Sequence, residues 1–334
     1  MALLSISDIE SSLHVPKLIK DDFIRLGQFE ALANGRLKLY SGGYTAVFPC
    51  VVNGEKWAFR CWFNDLGNVR TRFQLLSEAL QNTPLPYFCE FKYIDEGIVV
   101  NGKVYPTSRL KWIDGLTIND YVCQYCNDNA RLKALANNFL QMCKELHKNH
   151  FAHGDLQHGN IIINERGNLF LIDYDSLYHI SMGEMTDIIA GLKNYQHPAR
   201  KKNSNATEKL DYFSELIIYT SILAVAENPD LVNKYNMKDS DSMLFIYEDY
   251  SDLLNTTLYA DIHSLGGIFP ILLDILLEYL SHNDINELQP LENMLDAMLG
   301  DPIIVTFDVN PGNIAYIDDN ISLNWITEHA LIQT

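Results

Sequence analysis

Positive charge is in short supply: 25 lysines and arginines stand against 43 aspartates and glutamates, a formal net charge of −18. Nucleic-acid affinity depends on clustered Lys and Arg releasing counterions, so a general phosphate-backbone binder is excluded. A basic protein or a metal-bound nucleotide suits such a surface better. Long apolar runs are missing as well. The most apolar long segment, residues 267–280, is interrupted by Asp274 and Glu278, and no positively charged n-region opens the chain. We therefore expect a soluble, cytoplasmic protein with no membrane or nucleic-acid partner. Cysteine is sparse: the six are scattered, which fits a reduced compartment and no disulfides. Cys123 and Cys126 form a Cys-x-x-Cys, but no second Cys or His pair stands at zinc-site spacing. The surrounding pattern is helical, so the pair reads as two thiols on a helix. Internal repeats and low-complexity segments are absent.

What the chain does have is room and pattern. Its 334 residues, 47% hydrophobic, accommodate two lobes with ordinary cores. Residues 1–35 alternate polar and apolar positions at helical spacing, with Pro16 as a breaker, and are expected to form a helical preface. From Arg36 the period changes to two, through Leu37, Leu39, Val47 and Val51. The Asn53-Gly54 turn then leads into a run from Trp57 to Trp62, which gives an antiparallel hairpin. A helix from about Asn68 to Leu80 follows. A second Asn-Gly turn, Asn101-Gly102, joins strands near 89–99 and 104–112, making five strands and one helix over 36–112. Beyond Gly115 the pattern is helical to about residue 300, with an amphipathic run through Leu132, Leu135, Phe139, Met142, Cys143 and Leu146. Two short strands interrupt it, Asn160 to Ile163 and Leu169 to Ile172. The tail 301–334 is expected to hold a hairpin over 301–322, around Asn310-Pro311-Gly312-Asn313.

Those two short strands bracket the chemistry. His153-Gly154-Asp155-Leu156-Gln157-His158-Gly159-Asn160, followed by Leu171-Ile172-Asp173-Tyr174-Asp175, sets one carboxylate five residues before an Asn and eighteen before a second carboxylate. Phosphoryl transfer needs a group to orient the acceptor hydroxyl and hard oxygen ligands for Mg²⁺, which takes few ligands from protein. A loop, a hairpin and a loop can bring all three to one cleft. The segment resembles the catalytic and metal loops of the protein kinase superfamily. Gly191 to Pro198 is similar to the end of a kinase activation segment, Asp211-Tyr212-Phe213-Ser214 to the start of the helix behind the catalytic loop, and Leu110 to Gly115 to the adenine hinge.

The resemblance implies an α+β, two-lobed protein-kinase-like fold, with a small β-rich N-lobe at 36–112 and a large helical C-lobe at 113–300. It implies ATP and Mg²⁺, or Mn²⁺, as cofactors. Asp155 is then the base, Gln157 lies near the transferring phosphate, and Asn160 and Asp173 hold metal. Nucleotide contacts fall to Gly42, Gly43, Val47, Ala58, Arg60, Glu78, Leu110 and Trp112. Trp57 to Trp62, the His-Gly-Asp-Leu-Gln-His-Gly-Asn segment and Asn194-Tyr195-Gln196-His197-Pro198 together resemble a group of bacterial serine/threonine kinase-like proteins, whose substrate would be a protein. A pseudokinase scaffold and a small-molecule phosphotransferase of the aminoglycoside or choline kinase type are the competing expectations.

The departures from the family are specific. Of the three loop glycines only Gly42 is kept, with Gly43 and an aromatic Tyr44 beside it. Arg60 replaces the lysine that grips the phosphates and pairs with a helix glutamate, and the two cations are not interchangeable. Glu78, eighteen residues on, is the expected partner, with Glu90 and Asp95 as alternatives. Gly154 replaces the Arg that reads a phosphorylated loop in many kinases, so activation by loop phosphorylation is not expected. Gln157 stands where these kinases carry a Lys, and Asp175 where the metal loop carries Gly.

Overall fold

A computed structural model describes residues 4–64, 68–189, 191–201 and 204–299, together with the backbone of two strands at 303–310 and 322–328. By its internal contacts the chain divides into two compact units.

The first comprises Met1–Tyr121, Glu145–Gly191 and Lys201–Leu210. Its larger sheet has the order β1-β3-β4-β6-β5, with β2 pairing to β3. The strands are β1 (Gln28–Phe29), β2 (Tyr40–Ser41), β3 (Thr45–Val52), β4 (Glu55–Trp62), β5 (Phe91–Val100) and β6 (Lys103–Lys111). Both tight hairpins turn where the sequence places Asn-Gly. Asn53 and Gly54 have φ of 52° and 82°, and Asn101 and Gly102 have 50° and 76°. Such left-handed pairs match the twist of the flanking strands. Phe48, Phe59 and Ile98 are fully buried on one face, each contributing about 1.5–3 kcal/mol through apolar burial.

The stretch expected as a helical preface is part of this core. It contains α1 (Ile6–Leu13) and two single 3₁₀ turns, but also β1, which pairs with β3 and makes the sheet six-stranded rather than five. Ile9, Leu13, Ile19 and Ile24 join the sheet's apolar cluster. Polar ties fix the rest: the Glu10 carboxylate accepts the Leu37 N–H at 2.7 Å, and Asp21 takes Arg109 at 2.6 Å. α2 (Val69–Asn82) packs on β5.

After β7 (Leu116–Thr117) come α3 (Ile118–Gln124) and α4 (Asn129–Lys148). The chain then forms β8 (Phe151–Ala152), β9 (Ile161–Ile163), β10 (Leu169–Leu171) and β11 (Tyr178–His179). β9 pairs with β10 in the register Ile161↔Leu171, and β8 pairs with β11.

The second unit, Val122–Lys144, Leu192–Arg200 and Asp211–Thr334, is helical apart from its last two strands. Its centre is α5 (Tyr212–Glu227), buried on every side from Tyr212 to Ala226, as a helix with apolar residues all round must be, with Ser214, Glu215, Thr220 and Ser221 buried among them. α6 (Leu231–Lys234) and α7 (Thr257–Ser264) follow, and α5 packs against α8 (Phe269–Ser281) and α9 (Leu291–Leu299). The 192–200 turn is tied down by neutral hydrogen bonds. Ser214 Oγ donates to the Tyr195 carbonyl at 2.7 Å, the Met243 N–H reaches Tyr195 Oη at 2.9 Å, and His197 Nε2 donates to the Tyr279 carbonyl at 2.8 Å. β12 (Ile303–Asn310) and β13 (Ser322–Glu328) pair antiparallel, so the tail's second strand begins where the expected hairpin ended. The turn expected at Asn310–Asn313 lies, beyond Asn310 itself, outside the described residues.

Candidate active site

The loop between β8 and β9 is held by its own polar groups. The Gln157 side chain caps the 3₁₀ turn His158–Asn160, its Oε1 accepting the Gly159 N–H at 2.7 Å. The Gln157 side-chain carbonyl oxygen is thereby committed to the turn. Asn160 Nδ2 donates to the Asp155 carbonyl at 2.8 Å, fixing the distance between the candidate base and the candidate metal ligand. His153 Nε2 donates to the Ile172 carbonyl at 2.8 Å, and the Ile172 N–H reaches the Asn160 carbonyl at 3.0 Å. The three chemistry-bearing segments are thus joined by hydrogen bonds that all end on main-chain carbonyls.

Beyond β10 the chain turns one side chain outward and the next two inward. Asp173 has φ of 65°, uncommon for a residue with a Cβ, and its side chain is 46% exposed. Tyr174 is fully buried, donating to the Leu171 carbonyl at 3.0 Å and accepting the Cys89 N–H at 2.8 Å. Asp175 turns inward.

Arg60, on β4 and buried, meets both carboxylates with the same nitrogen. Its Nη2 lies 2.6 Å from Asp173 Oδ1 and 2.9 Å from Asp175 Oδ1, and Thr45 Oγ1 stands 3.4 Å from Arg60 Nη2 and from Asp175 Oδ2. Burial opposes the charge on Arg60, but Asp175 and Asp173 outweigh it and hold the guanidinium above its ordinary value. Burial, only partly offset by Arg60, pushes the Asp175 carboxyl up to about 6. Nη1 of Arg60 is buried without a hydrogen-bond partner, an unmet donor at a charged site.

Glu78 is not the partner of Arg60. It is exposed on α2, while the buried positions of that helix are Arg72, Phe73, Leu76 and Ala79. Helical spacing from Arg72 through Leu76 to Ala79 defines the inner face, and Glu78 falls off it. The helix therefore turns a cation inward: Arg72 Nη1 donates to the Thr186 carbonyl at 3.1 Å. Of the alternatives, Glu90 is exposed and Asp95 pairs with Arg70 at 2.6 Å.

These residues border a cleft of about 520 Å³, within the usual range for small-molecule sites. Val47, Ala58, Leu110 and Trp112 line it as expected, joined by Ile162 and Ile172, and Arg60, Asn160 and Asp173 supply its polar side. Ile162 and Ile172 went unassigned in the sequence. Ile162 lies two residues after Asn160 and Ile172 precedes Asp173, so strand alternation was the available signal. Trp112 lies under Lys56 Nζ at 4.2 Å and 5.7 Å from the Tyr40 ring. Gly42 borders the cleft, whereas Gly43, whose carbonyl accepts Asn64 Nδ2 at 2.5 Å, does not. A Cβ added at either glycine would meet no protein atom, so their bareness leaves room for something that is not protein. Asp155 is half-buried and does not line the cleft wall.

The donor set fits nucleotide and a hard cation. Asn160, its Nδ2 already committed, and Asp173 offer two oxygen ligands to one cleft. Mg²⁺ keeps water and phosphate for the rest of its octahedron. Among the described residues no group of three or more His, Cys, Asp or Glu could hold a metal, and no helix is long and apolar enough to cross a membrane.

Comparison with known proteins agrees with this geometry. Residues 110–273 match the family model of the protein kinase domain. No curated protein matched the chain. The match supports kinase-type phosphotransfer in general, with ATP and a divalent metal as the family's usual cofactors. A β-rich N-terminal region, a helical C-terminal region and this match together give the chain the two-lobed α+β fold of the protein kinase superfamily.

Proposed function

We propose that the chain is an ATP- and Mg²⁺-dependent protein kinase that transfers the γ-phosphoryl group to a Ser or Thr hydroxyl. One observation carries this: a single cleft joins apolar walls suited to a purine with a polar side made of Arg60, Asn160 and Asp173, and Asn160 is bonded directly to Asp155. Val47, Ala58, Leu110, Ile162 and Ile172 exclude water from the base. Arg60, which lines the cleft, offers its positive charge to phosphate oxygens. Asn160 and Asp173 would hold the metal, which would neutralise charge on the phosphates. Asp155 accepts the acceptor hydroxyl's proton or orients it toward the phosphorus. The net charge of −18 suits a basic protein substrate, and the motifs suit a bacterial, cytoplasmic setting.

A pseudokinase is the second reading, favoured by the cap made by Gln157 and by the hold of two carboxylates on Arg60. Purified protein incubated with labelled ATP, Mg²⁺ or Mn²⁺ and a mixed basic protein substrate separates the two. Phosphate on protein, lost in Asp155→Ala and Asp173→Ala, is the expected result. Intact nucleotide binding without transfer would establish the pseudokinase.

A further inference from the structure

In the family that this fold represents, the phosphate-gripping cation is braced by a glutamate of the helix. Here α2 cannot supply one: Glu78 is exposed, and the charge the helix buries is Arg72, of the same sign as Arg60. The bracing anion comes from the other direction. Asp175 lies two residues beyond Asp173, is 7% exposed, and sits 2.9 Å from Arg60 Nη2. Thr45 fills the remaining corner, with Oγ1 at 3.4 Å from both Arg60 Nη2 and Asp175 Oδ2.

The two carboxylates are not duplicates. Asp173 is 46% exposed and lines the cleft, whereas Asp175 is buried and does not. Both hold the same nitrogen. An Asp173 drawn toward a cation would leave the buried guanidinium without a counter-charge, a costly arrangement, unless a second anion stayed behind. Asp175 is placed to be that anion. Tyr174, locked to Leu171 and Cys89, fixes the backbone from which Asp175 projects. Arg72 adds a second positive charge within electrostatic reach of Asp175.

Resting on the assignment of the cleft to nucleotide, we propose that Asp175, braced by Thr45, is the positioning residue that aims Arg60 at the nucleotide phosphates, and that the helix carboxylate Glu78 takes no part. The readout is phosphate-specific binding, not activity. Calorimetry on the full chain with EDTA present compares ATP with adenosine, which shares the base and lacks the phosphates. The parent should bind ATP more tightly. Asp175→Asn should weaken ATP by at least about tenfold, the scale of a buried guanidinium losing one of its two counter-charges, and leave adenosine unchanged. Glu78→Gln should change neither. Should Asp175→Asn fail to fold, the near-isosteric Thr45→Val reads the same ratio with a smaller loss, roughly threefold.

The proposal is overturned by a parent without preference for ATP, or by an unchanged ratio in Asp175→Asn or, where that variant does not fold, in Thr45→Val. An equal loss of both ligands in Asp175→Asn, or a selective loss of ATP in Glu78→Gln, overturns it equally. A parent that shows the expected pattern yet transfers no phosphate refutes the kinase assignment and leaves the role of Asp175 standing.

Discussion

Arg60 and His197 are both buried polar side chains held by partners far away in sequence, yet their surroundings are opposite. Arg60 is met by two carboxylates, keeps a donor unbonded and sits beside a left-handed Asp173. His197 is neutral: its Nε2 donates to the Tyr279 carbonyl at 2.8 Å while its Nδ1 accepts the Ala199 N–H at 3.0 Å. Its neighbours Tyr195, Ser214 and Tyr250 are likewise bonded to main chain. A neutral network bonded to main chain specifies one packing at little risk, whereas a charged and partly satisfied one is the arrangement common at functional sites. The contrast separates one place, the candidate site, from another, a turn held by neutral bonds.

The largest expected effect tests the first place. Asp155→Ala should lower phosphotransfer by on the order of 10²–10⁴-fold in the labelled-ATP assay, with nucleotide affinity nearly intact, as for removal of a proton-handling group. Next in size is stability. Asp175→Ala leaves a buried guanidinium facing the partly exposed Asp173 alone and should cost about 3–5 kcal/mol in urea unfolding. An Arg60→Met, Asp175→Leu double variant should recover much of that loss, since an apolar pair avoids the desolvation of two charges. A double variant as unstable as the single would mean that the charges hold the fold, and the contrast with His197 would fail.

His197→Ala should cost less, about 1–3 kcal/mol, by stranding the Tyr279 carbonyl and the Ala199 N–H. Its pH dependence follows from the geometry. Burial lowers the imidazole below its ordinary value, and protonation would turn Nδ1 into a donor facing the Ala199 N–H. The unfolded chain binds the proton first, so this contribution is fully present above about 6.5 and declines as pH falls below it. Melting temperature followed from pH 7.5 to 5.5 should therefore drop less steeply in His197→Gln than in the parent. Smallest of all, Glu78→Gln should stay within about 0.5 kcal/mol of the parent, as an exposed substitution.

Asp155, Asn160 and Asp173 could be found in the sequence because their spacing is imposed by a loop and a two-strand hairpin, whose lengths fix what meets. The Asn-Gly turns were legible for the same local reason. Glu78 misled because a separation of eighteen residues does not set the phase of a helix; the inner face is decided by Arg72, Phe73, Leu76 and Ala79 packing on their neighbours. The place of Asp175 beside Arg60 was not legible because nothing nearby in the chain announces that Arg60, more than a hundred residues away, will meet a second anion. The capping bond from Gln157 Oε1 to the Gly159 N–H was not legible, because a glutamine in a loop does not announce which main-chain group it will meet. The first 35 residues gave no sign that they would extend a sheet, since β1 is two residues long and owes its pairing to β3.

Gly154 has a consequence for substitution. It stands where many kinases carry the arginine that reads a phosphorylated loop, and its φ is 77°, with any added Cβ 2.6 Å from the Ser176 carbonyl oxygen. A side chain there would be strained by the backbone and blocked by that oxygen. An arginine there would need the backbone around Ser176 to move first, so Gly154→Arg alone cannot install a phosphate-reading cation on this loop as it stands.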